Sequence, residues 1–427
     1  MKSLTFLASA LAAAPLLAAV PVIDTSSVSV QQGPGKTVVI EYTMNPASPG
    51  DTEPAIVTVD ILTNAVGGVA ASVGGEHLTT LSGDVNKVVP HTANFKHKIL
   101  WEPTKEGFPE FKLPAEQVTA KITLWSTNSP PTYWVLDLTR PTDRTADRYY
   151  PEVGQIPLGV TNILYKTERL VMRRIPAKGV TWKQGDPSAA ANTYNAPRYV
   201  TFTYDYFMSI YEVTCSQNNK IQSSYTVTGS TKPRTTNLAS WRGSPDSGNY
   251  AWPDKGHGSV GTILNAYRNG LGGIKVDLPT SAEWEFACRA GSATKYCNGD
   301  TDADLDKVAW TYSNSGGTMK EVGTKEPNAW GMYDMHGNAF EWTLTRYATR
   351  TSDPEWDPVG PKSSDVNTPA GSAAPSARNQ NIWRIMGGWS GNATYGAASQ
   401  CRSYEARDVT SSEIVSGGGA RLVVPLQ

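Results

Sequence analysis

From Ser27 to Leu138, apolar and polar residues alternate in short runs broken by turn residues. Val38 to Met44 (VVIEYTM) and Ala55 to Leu62 (AIVTVDIL) are rich in β-branched side chains with partial period-two alternation, the pattern of half-buried strands. Lys98 to Trp101, Ala120 to Trp125 and Tyr133 to Leu138 continue it, and Pro/Gly clusters at 32–35, 46–54 and 129–131 supply the turns between. About seven strands in roughly 110 residues predict an immunoglobulin-like or fibronectin-like β-sandwich over residues 24–140. It holds no Cys, so the inter-sheet disulfide of antibody domains is absent. His77, His91 and His97 are scattered among the strands and are expected to face solvent rather than bind metal.

Beyond the polar stretch Arg140 to Tyr150 (RPTDRTADRYY) the pattern becomes mixed, and residues 141–164 read as a linker. Strands such as Arg169 to Ile175 stand among long Gly/Ser/Asn loops, with few helices. One helix is clearly signalled. Thr280 and Glu283 form a capping box and Gly291 closes the far end, which sets Trp284, Ala287 and Cys288 on one inward face. A second helix is expected from Thr262 to Arg268, ending at Asn269-Gly270. The Gly-rich run that follows has no hydrophobic strand before it and reads as a turn, not a phosphate loop.

The first residues have a different pattern. Lys2 precedes an apolar run from Leu4 to Ala19, the length of a signal-peptide core and short for a membrane span. Residues 1–19 therefore read as an export signal. No Cys follows for lipid attachment and no other stretch is apolar long enough to span a bilayer, so a secreted or periplasmic protein without a membrane anchor is expected. In such a compartment Cys215, Cys288, Cys297 and Cys401, all in the second half, can pair.

Composition narrows the function classes. Lys+Arg 38 against Asp+Glu 39 leaves no basic excess, and no basic run exceeds two residues, so a nucleic-acid partner is not expected. Thirteen Trp and 19 Tyr against 8 Phe suit a loop-rich fold whose buried rings must still hydrogen-bond. With 38 Gly and 29 Pro, long helical bundles are excluded.

Four ordered blocks in the second half carry a resemblance. Asp277 to Gly291 (DLPTSAEWEFACRAG), Tyr206 to Thr214 (YFMSIYEVT), Val322 to Asn328 with Gly331 to Trp342 (GMYDMHGNAFEW), and a closing set of Gly387-Gly388-Trp389, Cys401-Arg402-Ser403, Arg407 and Gly419 to Val423 resemble the formylglycine-generating, or sulfatase-modifying factor, family. The likeness covers roughly residues 165–425, within a domain expected over 165–427. It implies an irregular α+β domain of the C-type-lectin-like kind behind an appended β-sandwich.

The family's founding enzymes oxidise a client Cys to formylglycine with oxygen and a copper(I) ion held by two thiolates, a soft cation between soft ligands. By the resemblance, the positions of those two Cys are Asn392 and Ala397 here, so copper is not expected. The resemblance also implies a Cys288–Cys401 disulfide, which would close a loop worth about 4–5 kcal/mol in the chain-entropy model. Cys215 and Cys297 can form a second bridge or stay free. A calcium site is implied at Asp334, Gly337, Ala339 and Glu341, where hard oxygen ligands sit on a Gly-containing turn; capping and ion pairing of the turn by the same carboxylates is the other reading. His336 lies in that turn without a second His nearby, which argues against zinc.

Two functions follow. The first is a non-oxidase member that binds a peptide, glycan or protein partner in a groove lined by Trp389, Tyr395, Trp342 and Arg407, where aromatic and guanidinium groups can hold a ligand. The second is an active formylglycine-generating oxidoreductase with a rearranged copper site, which requires two reduced thiols close together.

Overall fold

The computed structural model describes residues 20–64, 70–72, 78–92, 94–106, 118–191, 193, 195–222, 230–243, 261–346, 350–359, 383–386, 397–405, 407–409 and 418–426. The predicted export signal at 1–19 and groove residues Trp389 and Tyr395 lie outside these. The fold is α+β, and the chain divides into two compact units, Met1–Pro130 and Pro131–Gln427.

The first unit is built from antiparallel strands. Ser29–Gln32, Val38–Tyr42, His97–Trp101 and Leu81–Gly83 form one four-stranded sheet in that order. Val118–Trp125, Ala55–Asn64 and Ala70–Ser72 form a second, with Lys87–Val89 also paired to Ala55–Asn64. Period-two alternation turns Val38, Ile40 and Tyr42 inward from one sheet and Val57, Val59 and Ile61 from the other, into one shared core.

His97 corrects the expectation of solvent-facing histidines. It shares strand parity with Ile99 and Trp101, is buried, stacks on Tyr42 and bonds through Nδ1 to Asp84 Oδ2 at 3.0 Å. His91 is half-buried, with Nε2 3.2 Å from the Met44 carbonyl oxygen. His77 lies outside the described residues.

The second unit begins earlier than the sequence pattern implies. Tyr133–Asp137, assigned above to the sandwich, pairs along its whole length with Arg169–Ile175, and Arg148–Tyr150, assigned to a linker, pairs with Tyr133–Asp137. The five-stranded antiparallel sheet is completed by Asp205–Ser209 and Val423–Leu426. Its central strands Tyr133–Asp137, Arg169–Ile175 and Asp205–Ser209 are largely buried on both faces. Tyr133, Val135, Val171 and Met208 enter one core, whereas Trp134, Leu136, Met172 and Phe207 enter another. A run such as YWVLD, apolar at nearly every position, belongs in a sheet covered on both sides.

Two smaller sheets complete the unit. One holds Thr181–Gln184, Arg198–Thr201 and Glu355–Trp356, and the other Arg407–Val409, Trp383–Met386, Phe340–Arg346 and Gly418–Gly419. No helix among the described residues is long and apolar enough to cross a membrane.

The helix Ser281–Arg289 forms as its caps dictate. Thr280 Oγ1 accepts from Glu283 N at 3.2 Å, while Glu283 Oε2 accepts from Thr280 N at 2.8 Å. Ala290 takes the left-handed conformation at φ 47° and Gly291 follows at φ 90°. Every residue of the helix is buried, with Trp284, Ala287 and Cys288 in the core. Thr280→Ala is expected to lower stability by about 1 kcal/mol, read from the urea midpoint. An unchanged midpoint would show that the cap carries no stability.

Candidate functional site

The Asp334–Glu341 turn is set by its backbone. Asp334 and Asn338 are held left-handed at φ 56° and 60°, and Gly337 at φ 138°. A Cβ on Gly337 would lie 2.3 Å from the Trp310 carbonyl oxygen, so the close approach requires glycine. Asn338 locks the turn by donating its N–H to that same carbonyl at 2.8 Å. Its Oδ1 accepts from Lys320 N at 2.8 Å.

Three carboxyl groups converge on the turn, all buried. Glu341 is tied to Arg421, whose Nε lies 2.8 and 3.1 Å from its two oxygens, and Trp284 Nε1 donates to Oε2 at 2.7 Å. Arg421 spends its remaining donors on the carbonyls of Ser209, Ile210 and Tyr333. Glu212 accepts from Asn338 Nδ2 at 2.8 Å and from Ala339 N at 3.0 Å, clamping the turn from the strand side. Asp334 accepts the Gly323 N–H on Oδ2 at 2.6 Å, but its buried Oδ1 has no partner among the described residues. Burial pushes all three carboxyls above the usual range, and Arg421 pulls each of them back. Lys166 also pulls Asp334 down; its Nζ lies 5.4 Å from the Tyr211 ring centroid.

Of the four residues implied for calcium, Asp334, Gly337 and Ala339 lie in the turn and Glu341 near the start of the strand Phe340–Arg346 that follows it. An unpartnered buried carboxylate oxygen and three carboxyls facing two protein cations are chemistry that fits a hard divalent ion. Glu341 Oε2 accepts from both Trp284 and Arg421, whereas Oε1 accepts only from Arg421 and keeps a lone pair to ligate. Among the described residues, no three His, Cys, Asp or Glu side chains group to hold a metal ion. The set here rests instead on two side chains plus the carbonyls of Gly337 and Ala339. Glu212 escaped sequence analysis because nothing in YEVT marks its partners, more than 120 positions further on.

The implied Cys288–Cys401 disulfide is not formed, and all four cysteines are free. The physical reason is His336, which bonds between the two segments. Its Nε2 accepts the Cys297 N–H at 3.0 Å, and Nδ1 donates to the Cys401 carbonyl at 2.7 Å, so the ring is neutral with its proton on Nδ1. Cys288 Sγ lies 3.5 Å from the same Nε2, whereas Cys401 Sγ turns away to the Ala397 carbonyl at 3.5 Å. Burial moves the His336 pKa down to about 4 and the Cys297 and Cys401 thiols each up to about 12. Cys215 is a separate buried thiol beside the Pro233 carbonyl.

Of the two positions that the resemblance implies for copper, the one within the described residues carries no thiol. Ala397, at the start of the Ala398–Gln400 turn, is exposed and offers a methyl group where a thiolate would be needed; Asn392 lies outside the described residues. Trp342 is not a groove residue. It is fully buried, donates Nε1 to the Thr236 carbonyl at 2.9 Å, and packs on Gly418. Arg407 begins the strand that pairs with Trp383–Met386, opposite Ile385.

Residues 172–425 match the model of the sulfatase-modifying factor enzyme 1-like domain. The formylglycine-generating enzyme of Mycobacterium tuberculosis is 38% identical over 81 residues, 16% of this chain and 27% of that protein. The chaperone protein LppX of Paenibacillus barcinonensis is 30% identical over 131 residues, 26% of this chain and 38% of that protein. The chain thus spans well under half the length of these relatives. Among solved structures, Treponema denticola variable protein 1 superposes with a TM-score of 0.44 at 20% identity, over 60% of this chain and 95% of that one. PvdO from Pseudomonas aeruginosa does so with a TM-score of 0.39 at 22% identity, over 60% and 94%. With its family model matched over more than half its length, the chain belongs to the sulfatase-modifying factor family.

Proposed function

We propose that this chain is an exported, non-oxidase member of the family whose second unit binds a peptide, glycan or protein partner, with a β-sandwich as its first unit. The observation that carries the reading is the methyl of Ala397 at a copper-ligand position. Cys401, the one thiol between Trp389 and the last residue, is buried with its sulfur turned to Ala397 rather than outward. A copper(I) site of the family's kind needs two thiolates facing a substrate thiol. Trp389, Tyr395 and Arg407 bring the residue types that hold partners at interfaces, rings with a polar handle and a planar guanidinium.

The test is to probe glycan and peptide arrays with the full chain and its Trp389→Ala variant. Binding to one ligand class, weakened at least about tenfold by the substitution, is expected. No ligand on any array, together with formylglycine formation on a Cys peptide, would sink the reading.

The turn supports a second proposal for the same unit, a calcium ion held by Asp334, Glu341 and the carbonyls of Gly337 and Ala339. Calcium there would neutralise the surplus carboxylate charge. At roughly a hundredfold excess over its dissociation constant it should stabilise the fold by about 2.7 kcal/mol. Asp334→Asn should abolish the gain. Superimposable denaturation curves in calcium and in chelator would refute the site.

A further inference from the structure

Three of the four cysteines meet at His336, and they do not meet it in the same way. The Nε2 side of the ring holds the Cys288 sulfur at 3.5 Å and the Cys297 main chain at 3.0 Å. The Nδ1 side bonds the main chain of Cys401, whose sulfur points to Ala397, and lies farther from the Cys288 sulfur, at 3.9 Å. Local chain geometry explains the convergence. Cys288 is the penultimate residue of the helix Ser281–Arg289, and the left-handed Ala290 and Gly291 turn the chain back on itself. Tyr296 and Gly299 then pair across a tight turn, and Cys297 within it donates its main-chain N–H to His336. Tyr296 packs edge-on against the His336 ring and fixes the approach. Cys288 is fully buried, whereas Cys297 is part-exposed.

We propose that Cys288 and Cys297 are a dithiol modification site, closed to a disulfide by exchange with a small-molecule disulfide, in place of a bridge from Cys288 to Cys401. The Cys297 thiolate attacks one sulfur of the reagent, forming a mixed disulfide and expelling one reagent thiolate. The Cys288 thiolate then attacks the Cys297 sulfur and expels the second. Two electrons pass from the protein thiols to the reagent, and the two protons end on the reagent's thiols. The electrostatic influence of Cys297 on Cys288 agrees with this proximity. Because burial keeps both thiols protonated, exchange in the folded protein is slow and closure during folding is the faster route.

The experiment refolds the full chain with reduced and oxidised glutathione, alkylates the remaining thiols, and maps the peptides by mass before and after reduction. The expected result is a Cys288–Cys297 peptide, with Cys401 alkylated, and the same bridge in Cys401→Ser. In Cys297→Ser, Cys288 should become alkylatable on denaturation without reduction. A Cys288–Cys401 peptide would overturn the proposal, as would full alkylation of Cys288 and Cys297 after oxidative refolding. Neither result touches partner binding, so this test and that of the proposed function fail separately.

Discussion

Replacing Arg421 by Met is expected to destabilise the second unit by about 3–5 kcal/mol. The guanidinium is fully buried against Glu341, itself 1% exposed, and makes three further bonds to main-chain carbonyls. Met approximates its length but leaves Glu341 with only the Trp284 donor. It also removes a cation that pulls down Glu212 and Asp334, whose carboxyls burial already pushes up. The loss reflects an uncompensated buried charge more than the net worth of the pair, so Arg421→Met combined with Glu341→Gln should recover part of it. Equilibrium denaturation in guanidinium measures both. A single-variant loss below about 1 kcal/mol, the range of an exposed pair, would show that the network is solvated.

The second large effect is kinetic. Cys297 and Cys401 are pushed from an ordinary 9.0 up to about 12, and each unit cuts the thiolate fraction about tenfold. Near pH 8 the reduced, folded protein should therefore alkylate at these residues about a thousandfold more slowly than the denatured chain. Pulsed maleimide labelling read peptide by peptide gives each rate. Native and denatured rates within tenfold of one another would mean that at least one thiol is activated, which reopens thiolate chemistry at this site.

Legibility in the sequence followed interaction range. The helix Ser281–Arg289 was readable because its stop and start signals lie within the segment, in Thr280, Glu283 and Gly291. The strand at Tyr133–Asp137 was readable too, but not its membership. Its partners Arg169–Ile175 lie more than thirty residues on, and a run apolar at nearly every position records two buried faces without naming what covers them. His97 was misassigned although a signal existed, since its parity with Ile99 and Trp101 places it inward. The turn at 334–341 was legible through its motif. Glu212 and His336 were not, because what they do depends on Asn338, Cys297 and Cys401, which only the fold brings to them. The expected Cys288–Cys401 bridge failed for the same reason, the imidazole between them being invisible in spacing alone.

The central claim, that this member of the family lacks the oxidase chemistry, is tested most directly by turnover. The reduced full chain, supplied with one equivalent of copper(I) in air-saturated buffer, is incubated with a Cys-containing sulfatase-type peptide, and the product is read by mass and aldehyde capture. The account predicts that the peptide Cys is recovered unchanged. Oxygen-dependent appearance of formylglycine would contradict it.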